Sequence, residues 1–286
     1  MSVFPFARRA GPTALPPACL LMLLVCAAGT QLLPPDRVLA ADSWTPSAEP
    51  TPSIRPGLGE RIGGIARGRT QLEGGYALVS DNSAGVRMTQ HSVGDLLLRF
   101  GLTDRLEFRL GWPGYVATDY AGPGLTGSSH DALEPNVGFM LDLCAQRGML
   151  PQTAVLAAVP ITLEGNPFAL DSLQPLAQLL YRWQLTDRIA WGGTSGMALF
   201  DLAGDDFTQF QQTANLDWLV THRLGIFGEW EMLVDPGSAD DRSQHLLGGG
   251  VSYLASQRLQ VTWKAGLGLN EPAPDFLTYV RLAYRF

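Results

Sequence analysis

Ser243 and His245 are two residues of this chain that could do chemistry. They stand two apart, so on a β-strand they share a face, and a nucleophilic serine needs an adjacent base. Ser128-Ser129-His130-Asp131 offers a second such arrangement, in a loop. His91 and His222 stand alone. None of the four histidines has the HExxH spacing of a zinc protease, and no cysteine cluster accompanies them. Loop serines and histidines are common, so catalysis is the weaker reading. The expectation is a protein without catalytic residues, metal or other cofactor.

A larger set of charged residues has a different logic. Glu73, Asp95, Arg99, Glu107, Arg109, Asp142, Arg182, Asp217, Glu229, Glu231, Lys264, Arg281 and Arg285 occupy the polar positions of segments whose other positions are apolar. Their signs are mixed and nearly balanced. Charges on one face of a curved sheet would line a polar path whose local fields filter solutes. The same charges, fully paired, would close it, since side chains and infolded loops can fill a barrel of moderate size.

Strands must position these groups. Arg258 to Asn270 reads RLQVTWKAGLGLN. Leu259, Val261, Trp263, Ala265, Leu267 and Leu269 fall on one face, and Gln260, Thr262, Lys264, Gly266, Gly268 and Asn270 on the other. Strict alternation of this kind predicts a β-strand with different surroundings on its two faces. Similar runs recur at 70–80, 87–102, 105–116, 134–144, 152–162, 173–185, 188–200, 207–220, 223–234, 243–254, 258–270 and 275–286. Many are longer than the usual strand of about 5–6 residues, and reach the roughly 9–11 a tilted strand needs to cross a bilayer. The fold expected is all-β, an antiparallel up-and-down transmembrane β-barrel of about 12 strands.

The connections support this. Tight turns are expected at Thr103-Asp104, Thr186-Asp187, Thr221-His222 and Ser256-Gln257. Longer links alternate with them at 81–85, 117–131, 164–172, 201–206, 235–242 and 271–274. Short turns at the periplasmic end and longer loops outside are the asymmetry of outer-membrane barrels. FGLTDRLEF and WQLTDRIAW repeat one frame, with aromatic residues on both sides of a Thr-Asp-Arg turn. Asp can supply such a turn by bonding its own backbone, and the arginine after it would start the next strand at headgroup level. Phe100, Phe108, Trp183 and Trp191 would then join an aromatic girdle at the membrane surface, with Trp112, Tyr284 and Phe286 as further members.

Composition bounds the rest. The net charge of −7 lends no support to a nucleic-acid partner. Arg8 and Arg9 precede an apolar stretch at 20–28, with small residues at Ala28, Ala40 and Ala41. This is the layout of a secretory signal, assigned to 1–41, with cleavage after Ala28 or, better, after Ala40 or Ala41. Past it no apolar run approaches the ~20 residues of a membrane helix. Cys19 and Cys26 fall in the signal, which leaves Cys144 as the one thiol of the mature chain and rules out a disulfide framework. Residues 42–69, rich in Pro, Ser and Gly, read as a disordered lead-in, and 70–286 as the barrel.

LLLRFGLTDRLEFRLG and GLGLNEPAPDFLTYVRLAYRF resemble the bacterial outer-membrane transporter family labelled as the MetA-pathway of phenol degradation. The likeness runs from about residue 71 to the end. It implies an outer-membrane location and a pore or facilitator for small aromatic or hydrophobic solutes. The ending, apolar at alternate positions up to Phe286, resembles the signal by which the barrel-insertion machinery recognises its clients. Three alternatives are a closed structural or adhesive barrel, a lipase-like barrel, and a soluble secreted β-protein with its apolar face inward.

Overall fold

The computed structural model describes residues 62–83, 85–161, 174–202, 205–234 and 243–286. The signal expected at 1–41, and the expected lead-in as far as residue 61, lie outside the described residues. Thirteen strands follow one another: β1 (Thr70–Ser83), β2 (Val86–Gly101), β3 (Leu106–Gly122), β4 (Leu125–Ala132), β5 (Asn136–Cys144), β6 (Gln152–Pro160) and β7 (Leu176–Gln184) come first. Then come β8 (Ile189–Leu202), β9 (Asp205–Leu219), β10 (Leu224–Val234), β11 (Ser243–Leu254), β12 (Leu259–Gly268) and β13 (Phe276–Arg285). Neighbours pair antiparallel, and β1 pairs with β13, which closes the ring.

Twelve of these strands make the ring, and β4 stands outside it. The lower half of β3, Leu106 to Gly111, pairs with β5. Its upper half, Tyr115 to Gly122, turns back on β4 instead.

Burial is the reverse of a water-soluble protein's. Glu73 and Glu231 are each 1% exposed and Lys264 3%, whereas Trp263 is 47% and Leu267 58% exposed. Charged side chains are almost never fully buried in a soluble core unless paired, and a continuous belt of exposed Leu, Trp and Tyr is not tolerated in water. The apolar face therefore meets lipid and the polar face the lumen. The soluble alternative is excluded by this inversion.

Three links expected as loops are strands. β1 and β2 run on to Ser83 and Val86, β3 and β4 form a hairpin through 117–131, and β8 and β9 reach Leu202 and Asp205. Apart from β4, which has 8 residues, these strands have 14 to 17, more than the roughly 9–11 that span a bilayer. Their outer ends continue pairing in water, where polar side chains suit both faces and the hydrophobic alternation fades. The links at 164–172 and 235–242 lie outside the described residues.

The tight turns share one geometry, and it is not the one expected. Thr103 Oγ1 accepts hydrogen bonds from the backbone N–H of Arg105 (3.1 Å) and Leu106 (2.9 Å). Thr186, Thr221 and Ser256 do the same for the residues two and three places on. The hydroxyl holds the turn, not the Asp carboxylate. The two other copies, with His222 and Gln257 in the Asp position, already carry that signal. Thr221→Val should therefore cost about 1 kcal/mol of barrel stability in a urea titration, and Thr221→Ser nothing measurable.

One irregularity re-aims a charge. Between β1 and β2 the register shifts from Glu73 to Gly75, and Asp95 takes a left-handed φ of 41° beside Gly94 at 116°. A Cβ on Gly114, which faces Gly94, would lie 2.1 Å from the Val93 carbonyl oxygen, so the crossing needs glycine. The bulge carries Asp95 inward to an ion pair with Arg281.

Candidate functional site

The lumen is built from the inward positions of the twelve ring strands. At its periplasmic end β13, β1, β2 and β3 contribute a chain of side chains. Arg285 donates to Gln71 Oε1 (2.9 Å), and Gln71 Nε2 to Glu73 Oε1 (2.9 Å). Arg99 meets Glu73 at 3.3 Å and grips both oxygens of Glu107 at 2.7 and 2.9 Å. Arg109 Nε meets the same Glu107 at 2.7 Å. A bidentate guanidinium–carboxylate pair with further donors is the arrangement that makes burial of charge tolerable.

The lead-in does not stop short of the barrel. Residues 62–69, expected as the last part of a disordered segment, pack into this mouth. The Ile65 N–H donates to Glu107 Oε2 (2.9 Å), and Arg99 Nη2 donates to the Gly63 carbonyl (2.8 Å). Ile62 joins Met140, Ala154, Leu156 and Leu180 in an apolar cluster inside the barrel. Arg67 bridges to Gly101, where a Cβ would stand 2.3 Å from the Ile65 and Ala66 carbonyl oxygens. Pro, Ser and Gly dominate the earlier part of the segment, and Ile62 and Ile65 are the residues that could have flagged the change. Asp142 lies buried beneath this crossing, close to Gly64.

Further up, β7, β9, β10 and β12 supply a second network. Lys264 Nζ meets Glu229 Oε2 at 2.7 Å. Glu231 Oε1 accepts from Gln211, whose Oε1 accepts from Gln178, each at 3.0 Å. Arg182 pairs with Asp217 at 2.8 Å lower down, four residues from the turns at Thr186 and Thr221 as Arg99 is from Thr103. Arg281 pairs with Asp95 and lies over the Tyr279 ring, 5.4 Å from its centre. The thirteen charged positions read from the sequence thus all sit on the inward face, grouped mainly in small neutralising sets rather than as an open ring of one sign.

Charge alone missed part of the wall. Gln71, Gln178, Gln211, Asn215, Thr194 and Thr213 are buried inward polar groups. Phe227, Leu180, Leu246, Leu277 and Tyr279 are inward and apolar. Parity along each strand would have found them. Leu246 and Leu277 pack with Ala273 and Val79 near the outer end, so the lumen wall is amphipathic.

On the outer face, Phe100 is directly opposite Phe108, which meets Phe139 edge-on at 5.6 Å. Trp183 is opposite Trp191, and their rings stack at 4.9 Å. Tyr284 and Phe286 meet at 5.0 Å. Trp112 is also outward but lies about 13 Å further along β3 than Phe108, grouped with Tyr115 at 5.1 Å.

The catalytic candidates separate. Ser128 to Asp131 lie in β4, where successive side chains point to opposite faces, so the run is no cluster. Ser243 Oγ and His245 Nε2 are 3.0 Å apart on the outer face, with Trp230 stacked on the imidazole at 5.8 Å. The Asn270 side chain binds the backbone of both residues rather than the ring. Among the described residues no group of three or more His, Cys, Asp or Glu could hold a metal ion.

A closed twelve-strand ring with its apolar face outward and its charges inward defines a β-barrel of the bacterial outer membrane. The chain belongs to the family described as "Putative MetA-pathway of phenol degradation", whose model matches residues 61–286. Its fold is similar to that of the COG4313 outer membrane channel from Pseudomonas putida F1, at 14% identity and a TM-score of 0.58, over 82% of this chain and 100% of that one. It is less similar to the NanC porin, at 8% identity and 0.48, over 75% and 98% of the two chains. The KdgM porin gives 10% and 0.47, over 76% and 99%. No curated protein sequence matches the chain.

Proposed function

We propose that this barrel is a pore or facilitator for small solutes with apolar, aromatic character. The observation that carries the reading is the amphipathic lumen wall. Phe227, Tyr279, Leu246 and Leu277 are buried inward side chains on the same wall as charges held in neutral pairs. Such a wall offers an aromatic ring contact without demanding that it neutralise a charge, and weak contacts at several levels allow release. The description of the family, phenol degradation, agrees with that solute class.

The aromatic residues flanking the turns serve as the periplasmic girdle, and the alternating end of β13 serves the insertion machinery. Residues 62–69 narrow the periplasmic mouth and set the resting conductance. This same segment is what favours the closed-barrel alternative. The 3.0 Å contact of Ser243 with His245 favours a hydrolase alternative. A serine hydrolase also needs oxyanion donors and an oriented imidazole, and the lumen reading requires neither.

The test is electrical. Wild-type barrel in a planar bilayer should conduct, and Glu229→Gln with Glu231→Gln should shift its reversal potential in the anion direction. The substitutions remove two negative charges beside Lys264 at nearly constant volume. The shift should shrink at molar salt, where the Debye length falls to about 3 Å. A conducting wild type with an unchanged reversal potential in the double variant would mean that these acids do not face the path.

A further inference from the structure

The four hydroxyl-held turns share a second feature that the turn itself does not use. Each has an arginine immediately before the Leu or Ile that starts the next strand: Arg105, Arg188, Arg223 and Arg258. The middle residue varies among Asp, His and Gln, but the arginine does not. Its backbone is fixed identically each time. The carbonyl accepts a ladder bond from the adjoining strand, from Asp142, Leu219, Leu254 and Arg285 respectively, at 2.7 to 2.9 Å. All four side chains are exposed. None makes an ion pair or side-chain hydrogen bond with another described residue.

Register fixes where they point. Leu106, Ile189, Leu224 and Leu259 stand opposite Leu141, Trp218, Tyr253 and Tyr284, which are exposed to lipid. The arginines, one residue earlier, take the opposite parity and crown the inner rim of the mouth. Arg258 is directly bonded through its backbone to Arg285, itself an inward guanidinium. Like charges so placed repel, a cost that a bound anion relieves. The exposed acids at this end are Asp104, Asp187 and the terminal carboxylate, while Glu73, Glu107, Asp142 and Asp217 lie buried just inside it, with Asp142 opposite Arg105. The far end carries exposed Asp119, Glu271 and Asp275.

We propose that Arg105, Arg188, Arg223 and Arg258 form an anion-gathering vestibule at the periplasmic mouth, and that the aromatic solutes handled by this barrel are carboxylates. The inference rests on the pore reading above and names its solute class. A guanidinium binds a carboxylate through two parallel N–H···O bonds, and a ring of them raises the anion concentration at the mouth. The apolar wall then meets the aromatic ring of the same molecule.

The experiment uses the mature chain in planar bilayers under a sodium benzoate gradient, with benzyl alcohol flux into vesicles as the neutral comparison. R105Q/R188Q/R223Q/R258Q should lower the benzoate-over-sodium permeability ratio several-fold at low salt. The four corresponding Arg→Lys changes should preserve it. R223Q/R258Q should give an intermediate ratio, and serves if the quadruple variant does not assemble. An unchanged ratio in a folded Gln variant overturns the proposal, including the case in which that variant loses only its stability in anionic lipid. Wild type that passes benzyl alcohol but not benzoate overturns the vestibule and leaves the pore standing. Wild type that passes neither overturns both.

Discussion

Starting the mature chain at Gly68 should raise single-channel conductance several-fold over the full mature chain. Residues 62–67 cross the mouth and are held there by few contacts. The Ile65 N–H reaches Glu107, the Gly63 carbonyl reaches Arg99, and Ile62 fills an apolar recess with Leu180 and Met140. Removing them deletes no ring strand. Arg99 keeps Glu73 and Glu107, and Arg109 keeps Glu107, so the wall behind the segment retains its charge pairs. Water then takes the vacated volume at the periplasmic mouth. Arg99→Ala is a poorer way to open the mouth, because it strands buried carboxylates at a cost of about 3–5 kcal/mol and threatens assembly. Equal conductance of the shortened and full chains would show that the constriction lies elsewhere.

Trp263→Arg should cost on the order of 2–4 kcal/mol and sharply reduce the yield of heat-modifiable, folded barrel. Trp263 lies mid-strand in β12, 47% exposed on the lipid face, opposite Val251 and Val280. A guanidinium there loses water without gaining a partner. Trp263→Leu keeps an apolar contact with lipid and should fold nearly as well. The loss matters because folded proteins have only about 5–15 kcal/mol in hand. Urea titration of both variants in vesicles checks it. Equal midpoints would contradict the assignment of inside and outside.

That assignment was the most legible part of the chain. RLQVTWKAGLGLN alternates so strictly that β12 and its two faces follow from parity alone. The closed ring followed from many such runs of membrane-spanning length. Three features were less visible, each for a physical reason. The outer hairpins are strands in water, so 81–85 and 201–206 lack the apolar half of the pattern. The turn hydroxyl was overshadowed by a neighbouring Asp, a residue with the stronger general turn preference, although His222 and Gln257 argue against it. Residues 62–69 have no periodicity, because they form no strand, and only Ile62 and Ile65 hint at burial. The lumen charges were found by alternation, but their partners were not. Which of Lys264, Arg281 and Arg285 faces Glu229 depends on stagger around the ring, and it is Lys264. Gln178 and Gln211 carry no charge and so did not stand out, yet they link β7 and β9 to Glu231.

The most direct test of the central claim is solute flux through the refolded barrel. Vesicles with an outer leaflet of lipopolysaccharide, containing the mature chain, should take up a radiolabelled aromatic carboxylate well above the rate of protein-free vesicles. They should take it up faster than a neutral sugar of similar size. Uptake of both solutes at the protein-free rate, from vesicles whose barrel is shown to be folded, would contradict the account.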